Sequence, residues 1–452
     1  MSDLIPLTVL EKFLFWEDRP AYPWCAFCKF EFDGPLDREA FQRAATEALQ
    51  RHVLLRSTIV AVGKRLYWQP VGNAAAPIQW SEFSRESVFP NLKHIDLEKE
   101  IGLQLVAVCR GDKTDLVFGG HHASADALGG ASYARDVFIN YANLTSKSSK
   151  PIELPELNHA ELKRRGRFGM SWGKFLKQLP MQMVGLAGAR QFLKRTPVPL
   201  VPHQAAGSLQ FPDGYPHVLT TELEPQATTA VRERAKSLGG TLNDLLARDL
   251  FLAVNIWRMA QGSNRGDWIR MMIPMNVRTR ETRNLPATNF VSSIFLDRRG
   301  KDFESPSTLL QSIKQEMDVI KDNNLGMTFL YSLKLLNMLP GRLKQQATAD
   351  RCTNSFIFSN LDRHFLRLPF PRRQGKLVIG NLELQKAWTI APLRPYSVAS
   401  FMSLVYDGRM LLTLHYDGRF IEQESADELL QSWVRQIGNT VRASEQNEAG
   451  IA

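Results

Sequence analysis

Between Ser146 and Pro216 the chain changes character. SKSSKPIELPELN opens this stretch, a basic segment follows, and TPVPLVPHQAAGSLQFPDGYP closes it. Proline and small polar residues crowd both ends, which marks a connection rather than a packed element. The chain therefore divides into two halves: residues 1–200, whose last part, about 146–200, is the connector, and residues 201–452. Each half opens alike. In the first, residues 24–32 read as a strand and 37–52 as an amphipathic helix with Phe41, Ala44, Ala45 and Leu49 on one stripe. In the second, residues 217–223 read as a strand, followed by helices over 225–238 and 242–259. Length and composition allow this: 452 residues, 44% hydrophobic and 23% charged, suffice for a core without metal or disulfides.

Further elements follow from periodicity and turn chemistry. Residues 103–109 and 115–118 are predicted strands joined by RGDKT. The second runs through Gly119-Gly120 into HHASADALGG, and a helix follows with Tyr133, Val137, Phe138 and Tyr141 at helical spacing. Residues 268–274 and 290–296 are predicted strands. Residues 400–406 and 410–416 flank Asp407-Gly408, a two-residue hairpin signal, and 422–441 closes as a helix. Hairpins mixed with helices give an α/β class of mixed α+β layers.

The net charge of +10 is local. Nine basic residues and no acidic one lie between Leu162 and Arg195; without them 47 of the 56 basic residues face 46 acidic ones. Trp172, Phe175 and Leu176 share the segment. The mixture suits first a solvated linker with one packed helix, and as the alternative a helix on an anionic membrane surface. Nucleic acid is not expected, since no zinc-finger, RRM or basic-zipper signature is present. The four cysteines form no disulfide framework; Cys25 and Cys28 have CxxC spacing without the second pair a zinc site needs. Neither a secretory signal nor an apolar run of spanning length is evident. The expected place is the cytoplasm, peripheral to a membrane where 162–195 acts as an anchor.

The chemistry concentrates in His121-His122-Ala-Ser-Ala-Asp126. Neighbouring strand residues point to opposite faces, so the two histidines do not share one ligand. One should face a cavity and the other be buried and hydrogen-bonded. This spacing favours a single general base over a metal site. Asp126 holds the loop through an arginine, or is simply the N-cap of the following helix with two hydrogen-bonded histidines before it.

HHASADALGG resembles the HHxxxDG motif of the chloramphenicol-acetyltransferase-like acyltransferases, which include peptide-synthetase condensation domains, wax ester synthases and plant BAHD enzymes. FDGPLDREAFQRAATEALQRHVLLRSTI resembles the family's block ending in RHPLLR, GGTLNDLLARDLFLAV resembles the ND helix, and IRMMIPMNVRTR with ATNFVSS resembles the second-half strands. The resemblance implies two chloramphenicol-acetyltransferase-like halves with an active-site tunnel between them. It implies His122 as general base, His121 as structural, Asp126 paired with Arg278, and Asn243 supporting the site. Asn289 and Ser355 are candidate oxyanion donors. The implied reaction moves an acyl group from a CoA or acyl-carrier-protein thioester to an alcohol or amine, without a resident cofactor or metal. The alternative is a non-catalytic condensation-like protein that binds a carrier protein or acyl ligand. Ala127 stands where the family has Gly. A positive φ there would make Ala cost about 1 kcal/mol, with Gly129 and Gly130 left to supply flexibility. The plant DFGWG and wax-synthase PLW motifs are absent.

Overall fold

The computed structural model describes residues 4–81, 89–146, 150–168, 185, 188, 190–202, 209–362 and 368–449. Its strands in the first half are β1 (Ile5–Pro6), β2 (Cys25–Asp33), β3 (Ser57–Val62), β4 (Arg65–Pro70), β5 (Ile78–Ser81), β6 (Leu103–Arg110) and β7 (Lys113–His121). The second half holds β8 (His217–Leu223), β9 (Ile269–Asn276), β10 (Val291–Arg298), β11 (Phe356–Asp362), β12 (Arg372–Arg373), β13 (Lys376–Ile379), β14 (Leu382–Ile390), β15 (Ala399–Tyr406) and β16 (Arg409–Tyr416). The strands expected around residues 24, 103, 115, 217, 268, 290, 400 and 410 are all present within a few residues of the predicted bounds.

They build two large sheets. One has the order β12-β13-β14-β2-β7-β6-β5 and the other β10-β9-β11-β15-β16-β8; β1, β4 and β3 form a small third sheet. The division at residue 200 is therefore not clean. β14 leaves the second half and pairs antiparallel with β2, from Glu383 opposite Asp33 to Ile390 opposite Phe27. The chain then returns to the second sheet at β15, where Ile357 of the parallel strand β11 lies opposite Ser400. The halves are interlocked by this loan of a strand. At the β15–β16 hairpin, Asp407 (φ 47°) and Gly408 (φ 76°) both adopt the left-handed region, as a type I′ turn requires.

Helix α1 (Val9–Glu17) starts with a capping box, in which the Thr8 side chain accepts from Glu11 N and the Glu11 side chain accepts from Thr8 N. Helix α2 (Arg38–Arg51) starts at an Asp37 cap and buries Phe41, Ala44, Ala45, Ala48 and Leu49. Helix α3 (Ala127–Thr145) buries Tyr133, Val137, Phe138 and Tyr141. Phe138 meets Phe30 of β2 edge-on, ring centroids 5.1 Å apart. The second core gathers around the helices Leu242–Ala260 and Gln423–Ala449, with Trp433 edge-on to Phe358 and Phe401.

Much of the basic segment falls on residues 169–184, 186, 187 and 189, outside the described residues. Its described part serves the fold. Arg165 is 3% exposed, and its Nε and Nη2 each donate to the Glu11 carboxylate at 2.7 Å. Arg195 stacks over Trp268 at 4.4 Å. Among the described residues no helix is long and apolar enough to cross a membrane.

Candidate active site

β7 lies in the interior of the first sheet, between β2 and β6, and delivers the two histidines at its end. Gly119 lets it approach its neighbours closely. A Cβ there would lie 2.5 Å from the Phe27 ring and 2.8 Å from Gln104 Cγ, distances no side chain tolerates.

The histidines separate as strand geometry requires. His121 is fully buried. Its Nδ1 accepts the Ala123 N–H at 3.1 Å, which leaves Nε2 as the nitrogen to carry a proton. His122 is half-buried. Its N–H donates to the Trp24 carbonyl at 2.6 Å, and its ring meets Trp24 edge-on at 5.7 Å. His122 Nδ1 is buried without a well-formed hydrogen bond, which leaves Nε2 as the nitrogen to meet a reactant. Burial lowers the His122 pKa below its ordinary 6.5; the Asp126 charge and the residue's own carbonyl oppose this in part. The imidazole is neutral at neutral pH, which is the form able to accept a proton.

Asp126 fills both roles weighed for it. It is the N-cap of α3, accepting from Gly129 N at 2.9 Å. It also receives Arg278 in a two-pronged contact, Nη1 to Oδ2 and Nη2 to Oδ1, each 2.7 Å. Phe290 N donates to Oδ2 at 2.8 Å. Burial would raise the Asp126 carboxyl, but the Arg278 charge and these hydrogen bonds outweigh it and hold the pKa below the usual carboxylate range. Asp126 is 6% exposed, so the pair joins the two halves in a largely dry place.

Residues 287–290, from the second half, wrap this loop. Thr288 O accepts from Arg278 Nη2 at 2.9 Å. Asn289 Nδ2 donates to the carbonyls of His122 (2.5 Å) and Ala123 (3.0 Å). Both of its protons are committed, so Asn289 braces the loop and is not the oxyanion donor expected of it. Gly129 permits the wrap, since a Cβ there would sit 2.8 Å from Thr288 O. Ala127 is the first residue of α3 and is not among the residues with positive φ. The helix asks nothing of it that alanine cannot supply, so no strain arises where the family motif has Gly.

Two other expected residues lie elsewhere. Ser355 Oγ donates to Val198 O at 2.6 Å and accepts from Arg270 N at 3.1 Å. Its one proton closes a seam between connector and β9, which corrects the expectation of an oxyanion donor. Asn243 is in the first turn of the helix Leu242–Ala260, and no hydrogen bond among the described residues ties it to the histidine loop. Its neighbour Asp244 completes that helix's capping box with Thr241.

Sequence reading missed two supports, one half-buried and one fully buried. Asp18 Oδ1 accepts from Trp24 N at 2.8 Å and lies 3.5 Å from His121 Nε2, while its Oδ2 lies 2.7 Å from His94 Nε2. His52 Nε2 is 3.2 Å from Asp136 Oδ2, and its Nδ1 accepts from Ala287 N at 2.9 Å. The RHVLLR string carried His52, but not the wrapping segment it holds. Cys25 and Cys28 are buried free thiols, and among the described residues no cluster of three or more His, Cys, Asp and Glu could hold a metal ion.

No protein-family model matches the chain. A stretch of 151 residues, 30% of the chain, is 32% identical to chondramide synthase cmdD of Chondromyces crocatus, of which it spans only 4%. Solved structures align along nearly the whole length. The starter condensation domain of rhizomide synthetase RzmA, solved with C8-CoA and Leu-SNAC, has a TM-score of 0.68 at 12% identity, covering 97% of this chain and 94% of that one. The epimerization domain of the third module of tyrocidine synthetase B has a TM-score of 0.66 at 14% identity, covering 98% of each. SgcC5 of Streptomyces globisporus has a TM-score of 0.64 at 15% identity, covering 97% and 98%. The fold is the chloramphenicol-acetyltransferase-like fold of condensation domains, with its two halves.

Proposed function

We propose that the chain is an acyltransferase. It takes an acyl group from a thioester, on CoA or on a carrier protein's phosphopantetheine, and passes it to a hydroxyl or amine. The observation that carries this reading is His122: a partly buried imidazole at a strand end, its N–H held by the Trp24 carbonyl and its carbonyl by Asn289.

In the proposed step Nε2 takes the proton of the acceptor as its oxygen or nitrogen attacks the thioester carbonyl. A new C–O or C–N bond forms and the carbonyl oxygen becomes an oxyanion. The intermediate collapses, the C–S bond breaks, and the proton on Nε2 passes to the leaving thiolate, so the enzyme ends as it began. An alcohol is a weak nucleophile at neutral pH, and removal of its proton by a positioned imidazole is worth about 10²–10⁴-fold. The two reactants would reach His122 through the expected tunnel between the halves. Asp126 and Arg278 would hold the loop against movement while charge develops. The solved relative with C8-CoA and Leu-SNAC bound supports a thioester donor and an amine acceptor as the first pair to try.

The test is a panel of acyl-CoA and acyl-phosphopantetheine donors of varied chain length against mixed alcohols and amines, read by released thiol and by product mass. Thiol release that depends on an acceptor supports transfer. If no donor releases thiol while one of them raises the melting temperature, the chain binds its acyl ligand without catalysis and the proposal falls.

A further inference from the structure

Asp18 lies outside the HHxxxD string, 103 positions before His121, yet it touches every support of His122 on the strand side. Its Oδ1 accepts the N–H of Trp24 at 2.8 Å. The Trp24 carbonyl in turn accepts the N–H of His122 at 2.6 Å, and the Trp24 ring packs edge-on against the His122 ring. The same Oδ1 is 3.5 Å from His121 Nε2, which has no hydrogen bond of normal length. It is therefore the acceptor that favours a proton on that nitrogen. The Ala123 N–H donated to Nδ1 favours the same tautomer, so the Asp18 carboxylate and this N–H hold it together.

We infer that Asp18 is a positioning residue for His122: it fixes the Trp24 backbone on one side and the His121 tautomer on the other. This rests on the acyltransferase reading only for its kinetic consequence. Asp18 is suited to the task because it stays ionised. Burial would raise its carboxyl, but the neighbouring His121 and His94 rings outweigh burial and hold it well below the ordinary carboxylate range. His94 takes the second oxygen at 2.7 Å and is itself only partly buried. Asp18 therefore links a residue at the surface to the buried back of the site.

The inference separates from a merely structural role by two readouts. In the wild type, side-chain nitrogen NMR should show His121 with its proton on Nε2. In Asp18→Asn, that signature should be lost or mixed and the His122 resonances should move. With an identified donor and acceptor, Asp18→Asn should lower kcat by about 10- to 100-fold, the scale on which outer partners that orient metal-bound histidines act, while KM stays near the wild-type value. His121→Asn, whose Oδ1 can replace Nδ1 as acceptor for Ala123 N–H, should retain more activity than His121→Gln. An unchanged His121 tautomer with unmoved His122 signals in a folded Asp18→Asn overturns the inference. NMR shifts as expected, in a wild type that turns over no substrate, would leave Asp18 as the brace of this loop and remove the acyltransferase reading instead.

Discussion

Replacing Asp126 by Asn tests the pin that joins the two halves. Asn is nearly the same size and keeps an oxygen that can cap α3 at Gly129 N. It removes the charge that faces both Arg278 nitrogens at 2.7 Å. Breaking one side of a buried pair costs about 3–5 kcal/mol, mostly because the remaining charge is left without a partner. Unfolding entropy of about 2.1 cal/mol/K per residue gives, for a chain of 452 residues, roughly 0.95 kcal/mol/K. With the halves unfolding as one unit, because β14 interlocks them, the melting temperature should fall by about 3–5 °C. The assay is calorimetry of Asp126→Asn, Arg278→Gln and the double variant. The double variant should lose much less than the sum of the singles. The pH dependence has a definite sign. Asp126 is held below its unfolded value, so its stabilisation is present above the unfolded carboxylate pKa of about 3.9 and is lost as pH falls through the folded value. The gap between wild type and Asp126→Asn should therefore close in acid. Equal melting of wild type and Asp126→Asn at neutral pH, or single losses that simply add, would refute the reasoning.

Three further outcomes are expected. Gly129→Ala forces a Cβ to within 2.8 Å of Thr288 O and should cost about 1–3 kcal/mol by overpacking, whereas Ala127→Gly should lose about 0.5–1 kcal/mol by adding freedom to a helix; thermal melting of both variants checks this. Asn289→Asp replaces two donated protons with a carboxylate facing the His122 and Ala123 carbonyls, and should cost about 1–3 kcal/mol with a larger loss in kcat than in KM. Because burial lowers the His122 pKa from 6.5, the acid limb of kcat/KM should lie below that value; a limb above it, measured on the identified substrate pair, would contradict the assignment.

What could be read from the chain alone was local or carried by a motif. The alternation of β7 and the helical stripe of α3 placed His121, His122 and Asp126 on a strand end and a helix start before any coordinates. Arg278 followed from the order of family motifs, and its contact with Asp126 lies where that order put it. The DG dipeptide set the β15–β16 turn, because only positive φ values close a two-residue hairpin without splaying its strands. The loan of β14 to the first sheet was not legible. Pairing between Leu384 and Phe32 is a contact between distant parts of the chain, and no period in LELQKAWTI names its partner. Asp18 and His52 were hidden for the same reason, since each meets its partners across long stretches of sequence. Ser355 and Asn289 were misread because a resemblance places a strand but not the destination of each proton. Asn243 was placed on a helix, whose recognition does not say what its first turn faces. The basic segment looked like a surface, yet Arg165 is spent on Glu11 inside the first core.

The most direct measurement is the rate of acceptor-dependent thiol release by His122→Ala beside the wild type, on one donor and acceptor pair, with melting curves for both. A loss of at least about 10²-fold with an unchanged melting temperature is expected if His122 Nε2 takes the acceptor's proton. A folded variant that turns over near the wild-type rate contradicts it.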